Sequence, residues 1–193
     1  MNMTNLLAAI YAGGALAVAV AFALGMILFV IGFVRLRSHA GHGRGQNPSW
    51  TATIMYFVAG TFLIYLFSFI AATHHTVFDS DGSLHPAGAE MPTSWQPNAS
   101  ISSGLEGNEM QLRARLIVDG FALVGLLFII KGIMKMRMIG SEYSQPGDGK
   151  ISTVIAHIAG GIILIDIIRA AELLGWLFPF FDDVAEFLKG GHT

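Results

Sequence analysis

The chain has 193 residues, of which 53% are hydrophobic and only 12% are charged. Soluble domains carry about 25% charged residues, so this composition leaves too little polar surface for a water-soluble globule and predicts a membrane protein. The formal net charge of -2 argues against a nucleic-acid binder, which would need a basic face, so no sequence-specific binding of nucleic acid is expected. The absence of cysteine excludes disulfides and thiolate sites.

Four apolar segments are longer than the roughly 20 residues that a helix needs to cross the hydrocarbon of a membrane. They cover residues 12–34, 51–72, 116–136 and 153–178. Backbone amides find no water in lipid, and continuous apolar runs favour helices over strands of alternating polarity. The sequence therefore predicts an all-α integral membrane fold with four transmembrane helices.

The segments between and after these helices divide the chain into four parts. Residues 1–72 are expected to form a first transmembrane hairpin, and residues 113–178 a second. Residues 73–112, which are rich in Pro, Gly and Ser, join the two hairpins as a loop. Residues 179–193 have apolar residues on one helical side and charges elsewhere, which predicts a short amphipathic helix on the membrane surface.

Basic residues are concentrated in the two short loops inside the hairpins. They are Arg35, Arg37, Arg44, Lys135, Arg137 and Lys150. The loop between the hairpins instead carries acidic residues. The positive-inside rule places both short loops in the cytoplasm, so the joining loop and both termini are expected to be extracytoplasmic.

The second hairpin repeats the first at an offset of 100 residues. "GMILFVIGFVRLR" from Gly25 aligns with "GLLFIIKGIMKMR" from Gly125, and "TIMYFVAG" from Thr53 aligns with "TVIAHIAG" from Thr153. Both hairpins start on the same side, so the repeat is parallel, whereas inverted repeats are the commoner pattern in transporters.

Glycines recur through both hairpins, and small residues let helix backbones approach closely in lipid. We expect close packing at these positions, either within each hairpin or between subunits. The glycines in question are Gly25, Gly32, Gly60, Gly125, Gly132, Gly160 and Gly161.

Three charged residues interrupt the fourth span. Asp166, Arg169 and Glu172 recur every three residues and therefore share one helix face. A charge at the bilayer centre costs about 2.5–3.5 kcal/mol on insertion scales, so these residues need partners. At the offset of 100, the first hairpin carries Leu66, Phe69 and Ala72 in their place.

Two further charges lie in the third span. Asp119 is near its outer end, at the depth of Arg169 in an antiparallel pair, and we predict that Arg169 sits between Asp119 and the two acids of the fourth span. Lys131 lies in the inner half, where its long side chain can reach the headgroups. Three roles stay open for this network: an ion-pair cluster that fixes helix register, a face toward a neighbouring subunit or lumen, and a proton or ion pathway.

No motif places a catalytic or cofactor site. His39, His42 and the pair His74 and His75 have no carboxylate or thiolate beside them and are typical of solvated loops, so no metal is expected. "GHGRGQ" lacks the lysine and hydroxyl residue of a phosphate-binding loop. The sequence predicts neither an enzyme nor a cofactor-binding protein.

The second hairpin resembles a known membrane-protein family. The stretch "GLLFIIKGIMKMRMIGSEYSQPGDGKISTVIAHIAGGIILIDIIRAAELLG" contains a Gly-x6-Gly span ending in basic residues, an "SQPG" loop and "HIAGGIILIDI". These features resemble the C-terminal hairpin of the IcmC/DotE family, small inner-membrane proteins of type IVB secretion and conjugal-transfer systems. The related IcmD/DotP proteins look like one such hairpin alone.

The resemblance implies a non-enzymatic subunit of an envelope machine in the bacterial inner membrane, with membrane lipid, further copies of the chain or other secretion-system subunits as its partners. It supplies no catalytic residues. The expected function is structural or channel-lining. The alternatives are a small ion or proton channel or transporter that uses the charged stripe, and a pilin-like subunit that leaves the membrane for a filament.

Overall fold

The structure, a computed structural model, describes residues 3–40, 49–78, 109–139 and 150–177. These residues form α-helices and contain no strand, so the prediction of an all-helical fold is confirmed for them. The helices in chain order are α1 (Met3–Ala40), α2 (Trp50–Ile64), α3 (Leu66–Phe78), α4 (Glu109–Met136), α5 (Ile151–Ile165) and α6 (Ile167–Leu177). The predicted amphipathic tail and most of the predicted joining loop lie outside the described residues.

Two helices are long and apolar enough to cross a membrane. They contain the stretches Asn5–His39 of α1 and Leu116–Met136 of α4, which correspond to the first and third predicted spans. The described residues do not show four continuous spans, because helix breaks interrupt the other two segments.

The second predicted span, residues 51–72, is two helices rather than one. α2 and α3 are separated by Tyr65, and their axes are bent by 89°. Tyr65 has φ -101° and ψ 38°, although its N–H still donates to the carbonyl oxygen of Thr61 at 2.9 Å. The bend is accompanied by packing of α3 against α1 and α5. Apolar composition predicted the length of this segment but carried no information about its direction.

The fourth predicted span, residues 153–178, is broken in a similar place. α5 ends at Ile165, and Asp166, with φ -119° and ψ 64°, separates it from α6. At 1.5 Å per residue, a 15-residue helix such as α5 extends about 22 Å, which is short of the roughly 30 Å hydrocarbon core. The described helices therefore provide two spans, or three if the bent pair α2–α3 crosses as one.

The helices form two packed pairs with a common core. α2 packs on α1 to make the first hairpin, and α5 packs on α4 to make the second. α1 and α4 run in the same direction, since Tyr11 contacts Asp119 and Gly13 lies against Leu123. The fully buried side chains are mostly aliphatic and include Leu28, Leu63, Leu126, Ile129, Ile133 and Ile162.

The outer surface of the bundle is also apolar. Val34 on α1 and Ile155 on α5 are among many large hydrophobic side chains that are well exposed. Such a surface is costly in water and suits acyl chains. The exposed helix faces therefore agree with the membrane environment that the composition predicts.

Candidate functional site

The first hairpin is held by a close approach of two helix backbones. A Cβ atom added to Gly25 would lie 2.9 Å from the carbonyl oxygen of Gly60, and one added to Gly60 would lie 3.0 Å from that of Gly25. Further along α1, the ring of Phe57 would lie 3.2 Å from a Cβ on Gly32. Only glycine lets α1 and α2 approach this closely at Gly25 and Gly60.

The second hairpin repeats this contact and makes it tighter. A Cβ on Gly125 would meet the carbonyl oxygen of Gly161 at 2.5 Å, and a Cβ on Gly161 would meet Cγ1 of Ile129 at 2.5 Å. Gly132 faces Ile158, whose nearest atom would lie 3.0 Å from its added Cβ. These three glycines line the interface between α4 and α5.

Gly160 differs from the other glycines that were predicted to pack. Apart from its chain neighbours and the backbone of its own helix turns, no atom of the described residues lies within 4 Å of a Cβ added at this position. Successive residues of a helix point about 100° apart, so Gly160 faces away when Gly161 faces α4. The structure therefore places Gly160 off this helix interface.

This placement corrects the register of the repeat. Helices α1 and α4 align at the predicted offset of 100, as Gly25 and Gly125 show. Helices α2 and α5 instead align at an offset of 101, which makes Gly161 the counterpart of Gly60. The breaks that follow α2 and α5 are also 101 residues apart. In this register the counterparts of Asp166, Arg169 and Glu172 are Tyr65, Ser68 and Ala71.

A polar contact joins the two hairpins. The phenol of Tyr11 on α1 donates a hydrogen bond to Oδ2 of Asp119 on α4, with an oxygen–oxygen distance of 2.9 Å. Asp119 is only 1% exposed. Tyr11 was absent from the predicted network, because it precedes the predicted first span, which begins at residue 12, and nothing in the sequence places it beside Asp119. The first helix thus supplies a polar group where the sequence predicted none.

The remaining members of the predicted network are placed separately. Asp166 is half-buried at the break between α5 and α6, and its carbonyl oxygen accepts a hydrogen bond from the N–H of Ala170 at 3.0 Å. Lys131 is exposed on α4. The side chains of Arg169 and Glu172 lie outside the described part of the structure, so the predicted position of Arg169 between the acids stays a prediction.

The predicted basic loops are partly described. Arg35 and Arg37 lie in the last turns of α1, Lys135 and Arg137 lie at the end of α4, and Lys150 precedes α5. Arg44 lies outside the described residues.

Arg35 is the best defined of these basic residues. Its guanidinium carbon lies 4.3 Å from the ring centroid of Tyr56 on α2. This geometry is a cation–π contact, and it holds a flexible cationic side chain against an aromatic face.

One turn beyond Arg35, His39 makes a second contact with α2. Its ring stacks on Trp50 at a centroid distance of 4.2 Å, and Nε2 lies 3.2 Å from the hydroxyl oxygen of buried Thr53. The hydroxyl of Thr53 donates to the carbonyl oxygen of Ser49 at 3.3 Å. Because a threonine hydroxyl has one proton, Nε2–H of His39 is then the donor to Thr53.

We call the residues Arg35, His39, Trp50, Thr53 and Tyr56 the basic mouth of the first hairpin. The corrected register shows that the second hairpin is built differently here. In place of His39, Trp50 and Thr53 it carries Ile139, Ile151 and Val154.

The double variant His39→Ile with Thr53→Val is expected to lose less thermal stability than Thr53→Val alone, because it removes the imidazole N–H together with its acceptor. Thr53→Val alone should cost about 1–3 kcal/mol, since it leaves the half-buried N–H of His39 without its acceptor. Thermal unfolding in detergent, followed by far-UV circular dichroism, measures both. Equal losses in the single and double variants would contradict this account of the basic mouth.

The described residues do not bring three His, Asp or Glu side chains into a metal-binding group. No protein-family model, curated protein or solved structure matches the chain.

Proposed function

We propose that the chain is a structural or channel-lining subunit of a type IV secretion or conjugative DNA-transfer apparatus of the IVB type. It acts in the bacterial inner membrane through helix–helix packing, within a homo-oligomer or beside other subunits of the apparatus. The observation that carries the proposal is the glycine contact repeated in both hairpins, Gly25 with Gly60 and Gly125 with Gly161. These glycines pack the chain's own helices closely, which agrees with a small protein whose role rests on helix–helix contact.

The outer surface supports the same proposal. Apolar side chains on α1, α4 and α5 are exposed, and these faces are open to lipid or to neighbouring helices of an assembly. The proposed localisation is a multi-pass inner-membrane protein whose basic loops face the cytoplasm and whose termini are extracytoplasmic.

A small ion or proton channel or transporter is the second candidate. It is favoured by the break of a very apolar segment at Asp166 and by the contact of Tyr11 with buried Asp119. Discontinuous helices and intramembrane carboxylates are recurrent parts of ion pathways.

Neutralising Asp166 and Glu172 together, as Asp166→Asn with Glu172→Gln, separates the two functions. For a scaffold, we expect the variant to lose its oligomer or its partner subunits, because the charges act in helix contacts. Native mass spectrometry of the complex purified from membranes measures this. Tyr65→Phe, a change at the exposed counterpart of Asp166, serves as the control and should leave the complex intact.

Ion flux is measured on the same preparations. Wild-type proteoliposomes should show no proton or potassium flux that depends on Asp166 and Glu172. Flux in the wild type that disappears in the neutralised variant, while the complex stays whole, would reject the structural role and establish the transporter. A wild-type chain that is purely monomeric in native membranes would also reject the proposal.

A further inference from the structure

In the basic mouth, two side chains of α1, Arg35 and His39, lie against two aromatic rings of α2. Arg35 and His39 are four residues apart and so lie on one face of the helix. Arg35 stacks over Tyr56, and His39 stacks on Trp50. Arg37, between them in sequence, is exposed on another face of the same turns.

This arrangement is not needed to close a hairpin. At the aligned positions the second hairpin carries Ile139, Ile151 and Val154, and Ile139 lies in the turn that follows α4. The position of Tyr56 is taken there by His157, whose ring stacks on Phe128 at 5.8 Å. The polar residues of the basic mouth therefore call for an explanation other than hairpin closure.

Local charge indicates an anion. The first 78 residues contain no Asp or Glu, so the positive charges at the end of α1 have no acid within their own hairpin. Trp50 is 59% exposed beside them. Exposed indoles with arginine at the end of a transmembrane helix are typical of the headgroup region of a membrane.

We propose that the basic mouth binds the phosphate headgroup of an anionic phospholipid. The guanidinium of Arg35 can give a phosphate two parallel hydrogen bonds, and its cation–π contact with Tyr56 restricts its rotamers. Arg37 adds positive charge, and Trp50 packs beside the glycerol region. Basic pockets between transmembrane helices are known sites of this kind of headgroup. The site is independent of the function proposed above.

The test uses the full chain in mild detergent and compares phosphatidylglycerol with phosphatidylcholine. Native mass spectrometry counts the bound lipids and gives their affinities. We expect selective retention of phosphatidylglycerol, and about fivefold weaker retention in Arg35→Gln, the change expected when one basic residue is lost near a membrane surface. Lipid retention by Arg35→Lys should lie between that of the wild type and that of Arg35→Gln, because lysine keeps the positive charge but cannot give a phosphate two parallel hydrogen bonds.

The matched control is Lys135→Gln, which removes one positive charge at the equivalent position of the second hairpin. It should retain the lipid. Tyr56→Leu leaves the charge of Arg35 in place and removes the ring under it, so it should weaken binding without abolishing it. Far-UV circular dichroism verifies that each variant remains helical and melts near the wild-type temperature.

Three results would overturn the proposal. The first is equal retention of the two lipids by the wild type. The second is an equal loss in Arg35→Gln and Lys135→Gln, which would mean general charge attraction rather than a site. The third is displacement of the lipid by inorganic phosphate at equal concentration, which would identify a free-anion site instead. Trp50 fluorescence, in a chain with Trp95→Phe and Trp176→Phe, reports occupancy in each competition.

Discussion

Gly161→Ala is expected to destabilise the second hairpin, whereas the same change at the adjacent Gly160 is expected to be neutral or stabilising. The new methyl group at residue 161 would overlap Cγ1 of Ile129 at 2.5 Å and the carbonyl oxygen of Gly125 at 2.7 Å. The carbonyl belongs to a helix backbone, so relief requires α4 and α5 to move apart. Overpacking of this kind costs about 1–3 kcal/mol. At residue 160 the methyl group meets no described atom within 4 Å, and alanine favours the helix by up to about 1 kcal/mol over glycine.

Thermal unfolding of the two variants in the same detergent, followed by far-UV circular dichroism, provides the comparison. Because both variants make the same chemical change on neighbouring residues of one helix, propensity and hydropathy cancel between them. Gly125→Ala should behave like Gly161→Ala, since its methyl group meets the backbone of α5. An unchanged melting temperature for Gly161→Ala, or a loss as large for Gly160→Ala, would show that the register of 101 is wrong.

Tyr11→Phe is expected to weaken the contact between the two hairpins. It removes the hydroxyl donor to Asp119, a hydrogen bond of 2.9 Å to a carboxyl group that is buried. The expected loss is about 0.5–1.5 kcal/mol, rising to about 1.5–3 kcal/mol where the acceptor is ionised. Tyr65→Phe makes the same chemical change on an exposed tyrosine and should shift stability by no more than about 0.5 kcal/mol.

A double-mutant cycle with Asp119→Leu isolates the Tyr11–Asp119 interaction. If the hydrogen bond is the source of the effect, Tyr11→Phe should cost much less in the Asp119→Leu chain than in the wild type. Additive losses would mean that Tyr11 acts through packing alone. The measurement also tests whether α1 and α4 are neighbours in the membrane, because the coupling requires residues 11 and 119 to be in contact.

The sequence predicted the helical class and the two long spans because apolar length is a direct requirement of the bilayer. The mean hydropathy of a segment depends only on its residue composition. It therefore could not show that residues 51–72 turn by 89° at Tyr65. Neither Pro nor Gly occurs between residues 61 and 70, and the usual signs of a break are therefore missing. In a segment that stays apolar on both sides of the break, the change of direction depends on tertiary packing, here that of α3 against α1 and α5.

The packing glycines were predictable as a set, but their register was not. The alignment of "VAG" with "IAG" favoured Gly160 as the counterpart of Gly60, and the duplicated glycine at residue 161 offered an equally small alternative. Contacts with α4 decide between them, because Gly161 meets Gly125 and Ile129 and Gly160 does not. Tyr11 was missed for a similar reason: a lone aromatic residue near the start of a span carries no sign of the buried carboxyl group that it meets.

Because the two hairpins are alike, helices of different hairpins could pair wrongly during membrane insertion. α1 offers glycines to α2 in nearly the same geometry that α4 offers to α5, so glycine packing alone would not prevent α1 from pairing with α5. The basic mouth distinguishes the two choices: in such a swap, the imidazole of His39 would face Val154 and lose the hydroxyl of Thr53. Loss of that acceptor disfavours pairing of α1 with α5 relative to pairing of α1 with α2.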